Sequence, residues 1–214
     1  EWMLAGSERF EARLSRLDGS NIDVEISASY LPDYLRFIAF VRDISERKRV
    51  EQERRLAAMV MCNADEAISL LQGVLRDEPT FAGAHHFLGV AFMHKGQTVQ
   101  ARGAFTEAVK LNPNLPEPRT ALAEIYLAEG SADLALEQAQ AAIQLNPRNV
   151  QAAIISGDAY LRKGDFAKSK QVFEAVAQAL PKEAVGPYRL GLVARAEKND
   201  AKALASFEEA LTRK

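Results

Sequence analysis

Four prolines, Pro79, Pro113, Pro147 and Pro181, follow one another at intervals of 34 residues. Proline cannot continue a helix, and it pushes the residue before it toward extended backbone, so each marks a helix end. Two lie in near-identical surroundings, KLNPNLPE at 110–117 and QLNPRNVQ at 144–151. Other positions repeat at the same interval. Gly96, Gly130 and Gly164 form one row, suited to the left-handed residue that ends a helix. Ala101, Ala135, Ser169 and Ala203 form a row of small residues that lets two helices approach closely. Phe105, Ala139, Phe173 and Phe207 form a third row. Leu88-Gly89, Leu122-Ala123, Ser156-Gly157 and Leu190-Gly191 match each other, as do Phe92, Tyr126, Tyr160 and Ala194. A repeat of this length predicts a stack of identical helical hairpins, each burying its apolar face against its neighbours.

The pattern L-G…Y/F…A…F…A…P over 34 residues resembles the tetratricopeptide repeat (TPR). The resemblance implies an α-solenoid of antiparallel helix pairs, with complete units at 82–115, 116–149 and 150–183 and a closing unit at 184–214. A degenerate unit precedes them at 48–81. Its second helix carries Ala67, Leu71 and Val74 at the repeat's places and closes at Pro79, but Arg54 and Arg55 stand where leucine and glycine belong. The first helix of that unit is therefore predicted to be a charged linker, residues 46–62, that runs into the array at 63–214. Turns are predicted near 62–65, 96–98, 130–132, 164–166 and 198–200.

Residues 1–45 read differently. Ile22, Val24 and Ile26 alternate with Asp23, Glu25 and Ser27, and Phe10, Ala12 and Leu14 alternate in the same way, as strands do. Asp18-Gly19 is a short hairpin signal, and LPDY at 31–34 is a second turn. The strand at 34–42 is apolar enough to be central. A three-stranded antiparallel meander that runs into Arg42-Asp43-Ile44-Ser45-Glu46-Arg47 resembles the last strands and exit linker of a PAS sensor domain. The resemblance implies a partial PAS segment in a chain that begins inside a domain, and a place in signal transduction. Asp43 and Glu46 also have the spacing of a capping box.

The net charge of −2 at pH 7 supplies no strongly basic face for nucleic acid. No apolar run reaches the ~18 residues of a membrane span. Cys62 is the sole cysteine, which excludes an internal disulfide and fits a reducing, cytoplasmic setting. His85, His86 and His94 lack cysteine or carboxylate partners at ligand spacing, so no metal site is expected. The run at 46–55, five Lys/Arg with three Glu, reads as a solvated helix face. No histidine lies between residues 42 and 84 to accept a phosphoryl group, and no glycine-rich nucleotide loop follows. The chain is read as non-enzymatic and without a cofactor.

In TPR proteins the first helices line a concave groove that binds peptides. The resemblance carries that role to His86, Val90, Met93 and His94, then Thr120, Glu124 and Leu127. It continues through Ile154, Asp158, Leu161 and Arg162 to Tyr188, Leu192 and Arg195. The expected function is a protein-interaction scaffold, the output or adaptor part of a sensory protein. Its ligand would be a protein or peptide with apolar and basic residues, since Glu124 and Asp158 share one repeat position. The lysine and asparagine pattern of a carboxylate clamp does not occur there. The alternative is a self-associating assembly module, joined through a C-terminal end that lacks a capping helix.

Overall fold

The computed structural model describes residues 7–16, 20–31 and 36–213. The chain divides into two compact units, residues 1–61 and 62–214.

The first unit holds three strands and a helix. β1 (Ser7–Ser15), β2 (Asn21–Leu31) and β3 (Arg36–Asp43) form an antiparallel sheet in the order β1-β2-β3. Ser15 pairs with Asn21, and Val24 pairs with both Ala12 and Asp43. The central strand is β2; β3, expected to be central from its apolar character, has one partner among the described residues. In a meander the chain order sets the strand order, whatever the hydrophobicity of each strand. The turns at 17–19 and 32–35, including Asp18-Gly19, lie outside the described residues. Val24 and Ile44 are buried.

β3 passes directly into α1 (Ser45–Cys62). The Asp43 carboxylate accepts from the Ser45 amide at 2.9 Å rather than from Glu46, so the contact is a tighter turn than a capping box. That hydrogen bond holds the Asp43 carboxyl below the usual carboxylate range. The Ser45 hydroxyl accepts from the Asp23 amide at 2.9 Å. Glu11 meets Arg47 at 2.6 Å and Lys48 at 2.9 Å, joining the first turn of α1 to β1.

The second unit is helical throughout its described residues: α2 (Ala64–Asp77), α3 (Ala82–His94), α4 (Thr98–Leu111), α5 (Pro116–Ala128), α6 (Ala132–Leu145), α7 (Val150–Arg162), α8 (Phe166–Ala179), α9 (Val185–Ala196) and α10 (Asp200–Thr212). α2, α4, α6 and α8 each end two residues before the periodic proline. The residue between is extended, with Asn112 and Asn146 both at φ −138° and ψ 93°. Their side chains accept from the amides two residues on, at 3.1 Å, closing the turn that proline opens. Gly96, Gly130 and Gly164 turn the chain between the paired helices at φ of 69°, 83° and 75°. In the last unit Lys198 holds that place at φ 61°.

Pairs α3/α4, α7/α8 and α9/α10 close on a glycine–phenylalanine contact. A Cβ at Gly89, Gly157 or Gly191 would come within 2.6, 2.6 and 2.4 Å of the rings of Phe105, Phe173 and Phe207. Phenylalanine thus fits only because the facing residue has no side chain. In α5/α6 the combination is Ala123 with Ala139, both fully buried, which divides the volume differently. Ser169, fully buried in the small-residue row, satisfies its hydroxyl by donating to the Gly157 carbonyl at 2.9 Å.

Candidate functional site

The candidate groove residues come from α3, α5, α7 and α9, which supply the same repeat positions from successive pairs. Some of their side chains bind the array together, some line openings, and Val90 does both.

Val90 packs against the cluster of Ala101, Phe105, Leu122 and Ile125, and Leu127 packs against Ala123, Ala139 and Ile155. Thr120 donates to the Pro116 carbonyl at 2.9 Å and accepts from Asn149 at 2.8 Å, a link from α5 to the cap of α7. Arg162 donates to the Leu127 carbonyl of the preceding unit. Asp158 is paired with Arg189 at 3.0 Å, its side chain 15% exposed. Burial raises the Asp158 carboxyl above the usual carboxylate range, against the attraction of Arg189 and Arg162. The site expected to attract a cationic ligand at Asp158 therefore has its own cation, while Glu124, at the same repeat position, is exposed. His86 is half-buried, its ring 5.1 Å from that of Phe87 and 5.7 Å from that of Phe105. Burial lowers its pKa from 6.5, against the opposing charge of Glu117.

Two openings remain. Val90, Met93, His94 and Glu124 surround a cavity of about 290 Å³ whose wall is completed by Phe105 and Ala121. At the C-terminal end, Tyr188, Leu192 and Arg195 line a cavity of about 590 Å³ with Phe207, Ala210 and Leu211. Tyr188 is 48% exposed and its ring lies 5.7 Å from that of Phe207. Ile154 and Leu161 line neither cavity. Ala121, Arg189, Phe207 and Leu211 escaped the groove pattern because they occupy other repeat positions. They reach these places through the offset between neighbouring helices.

His85 does not join the other histidines; its Nε2 is bonded to the Pro79 carbonyl at 2.9 Å. Among the described residues no three His, Cys, Asp or Glu side chains form a metal-holding group, and no helix is long and apolar enough to cross a membrane.

Residues 120–184 match a tetratricopeptide repeat family profile, and residues 63–125 match a second profile of the same description. Together they span residues 63–184, which hold α2 to α8, while α9 and α10 lie beyond both matches. The array is a tetratricopeptide repeat array. Solved structures agree with the TPR assignment at the level of the fold. One of MamA has 23% sequence identity and a TM-score of 0.65, covering 70% of this chain and 87% of that one. MamA 41-end from Desulfovibrio magneticus RS-1 has 19% identity and a TM-score of 0.68, with 78% and 93% covered. YrrB, described as a TPR protein with an unusual peptide-binding site, has 21% identity and a TM-score of 0.66, with 79% and 89% covered. Among curated proteins no sequence matches significantly. The TPR fold is typical of protein–protein interaction, and an apolar recess with one carboxylate at its rim can hold a side chain of a protein partner.

Proposed function

We propose that this chain is a peptide-binding scaffold and that its ligand seats in the opening between α3 and α5. The observation that carries this reading is the cavity of about 290 Å³ at Val90, Met93, His94 and Glu124. It draws four candidate residues from two successive units, and the packing of the array leaves Met93, His94 and Glu124 exposed. Methionine adapts to varied apolar shapes, and an exposed carboxylate beside it favours a basic neighbour on the ligand. The ligand is thus an apolar anchor next to Lys or Arg, presented by a protein or peptide. The unit boundaries at 48–81, 82–115, 116–149, 150–183 and 184–214 belong to this reading, as does α1 as the element joining array and sheet. The PAS-like exit sequence at 42–47 supports an output or adaptor role in sensing.

The test is a peptide-library capture with the parent, a Glu124→Lys/Met93→Ala variant and a Glu137→Lys control on α6. Ligands with a basic residue beside the anchor should be lost from the groove variant and kept by the control. Loss from the control alone would overturn the assignment.

A second reading, self-association through the C-terminal end, is favoured by Leu211, 86% exposed in the wall of the cavity of about 590 Å³, and by Leu204 on the same helix, 59% exposed. Light scattering of the parent against Leu211→Glu separates the two readings. A mass that falls in the variant belongs to assembly through that end.

A further inference from the structure

A third cavity, of about 480 Å³, lies apart from the groove residues, between α6, α7 and α8. Its origin is visible in the repeat register. The position three residues before the L-G pair is His85 in the first complete unit and Arg119 in the second. In their own units both side chains donate to the carbonyl of the preceding periodic proline, at the place equivalent to this cavity. His85 Nε2 reaches the Pro79 carbonyl at 2.9 Å, and Arg119 Nε and Nη2 reach the Pro113 carbonyl at 3.2 Å. Arg119 also donates to Gln138 on the second helix of its pair, at 3.3 Å.

In the third unit three positions change together. Ala153 stands in place of His85 and Arg119, Val172 in place of Ala104 and Gln138, and Ser156 in place of Leu88 and Leu122. Two of these changes remove bulk, and the cavity is the result. Ala153, Ser156 and Val172 line it, along with Pro147 and Val176. The Pro147 carbonyl has no hydrogen bond among the described residues, whereas its counterparts at Pro79 and Pro113 each have one from this position.

We propose that this cavity binds a small, neutral, planar heteroaromatic molecule that donates a ring N–H to the Pro147 carbonyl. The shape follows from the imidazole and guanidinium that fill the same space in the neighbouring units. Neutrality follows from the lining, which contains Arg148 and no carboxylate, so a cation would be repelled without a counter-charge. The apolar walls from Val150, Val172, Val176 and Leu180 bury the ring faces, and the Ser156 hydroxyl adds a polar group. The volume falls within the ~300–1,000 Å³ of small-molecule sites. The site shares no residue with the groove, so peptide capture can fail while this binding holds, and the reverse.

The experiment is a titration of the full 214-residue chain with indole, followed by methyl NMR. Saturable shifts are expected at the methyls of Val150, Val172 and Val176. 1-Methylindole, of the same shape without the donor, should bind about tenfold more weakly, the equivalent of one lost hydrogen bond. Ala153→His restores the native filler of the first unit and should abolish the indole shifts while raising the melting temperature. Ser156→Leu, which restores the row leucine, serves the same purpose if the histidine variant does not fold. Absence of saturable shifts, shifts elsewhere in the array, equal binding of 1-methylindole, or binding unchanged in a folded filled variant would each overturn the proposal.

Discussion

Lys198 is the residue at which the repeat breaks its own rule. Three turns between paired helices use glycine at positive φ, and the fourth uses lysine at 61°. Left-handed backbone costs an ordinary L-residue roughly 1–2 kcal/mol, because its Cβ crowds the following carbonyl. Lys198→Gly should therefore raise stability by about 1 kcal/mol, less the added entropy of glycine in the unfolded chain, as read from urea melts. Gly164→Ala should move the melt the opposite way. His86 gives a second test at this scale. Burial favours its neutral form, so the unfolded chain takes up the proton more readily than the folded one as pH drops below 6.5. The contribution is complete above pH 6.5 and is lost as pH falls toward the depressed folded value. His86→Gln should flatten the decline of stability below pH 6.5. A slope identical to the parent's would show that other groups carry it.

Between paired helices, the glycine–phenylalanine contact and the alanine–alanine contact are two solutions to one packing problem. Gly89 with Phe105 places all the volume on one side, whereas Ala123 with Ala139 shares it. Ala139→Phe alone should cost ~1–3 kcal/mol or more, because its ring would meet the Ala123 methyl as closely as a Cβ at Gly89 meets Phe105. Adding Ala123→Gly should recover most of that loss, giving a coupling well beyond the sum of the single changes. Strictly additive effects in thermal melts would mean that the two positions do not face each other. Both rows were legible in the sequence, since the 34-residue register aligned Gly89 with Ala123, Gly157 and Gly191, and Phe105 with Ala139, Phe173 and Phe207. The contact itself was not, because a row says that positions are equivalent and leaves open which row each one touches.

At the scale of the molecule, stability in a stacked array comes from each hairpin and from its contacts with the next one. Asp158 with Arg189 and Arg162 with the Leu127 carbonyl are such contacts, made between successive units. Since residues 62–214 form a compact unit of their own, we expect that fragment to keep its helical circular dichroism and to melt cooperatively. A fragment without helical signal would show that the array depends on residues 1–61.

Helix positions, their ends and the repeat itself were determined by local chemistry: proline, glycine and the apolar period act within a few residues of chain. The β meander was equally legible from alternation, although the central place of β2 came from connectivity. The tertiary structure decided the rest. Five of the candidate groove residues, Val90, Thr120, Leu127, Asp158 and Arg162, are engaged in holding the array together, and Val90 also walls the opening with Met93, His94 and Glu124. Glu124 and Asp158 occupy one repeat position, yet one is exposed and the other is half-buried and paired with Arg189. Arg189 occupies the place that Ile155 holds one unit earlier, so Asp158 meets a cation across the units and Glu124 has no such counterpart. A period places residues on equivalent faces, but which row meets which across two units depends on the offset between neighbouring helices, and a repeat sequence carries no local signal for that offset.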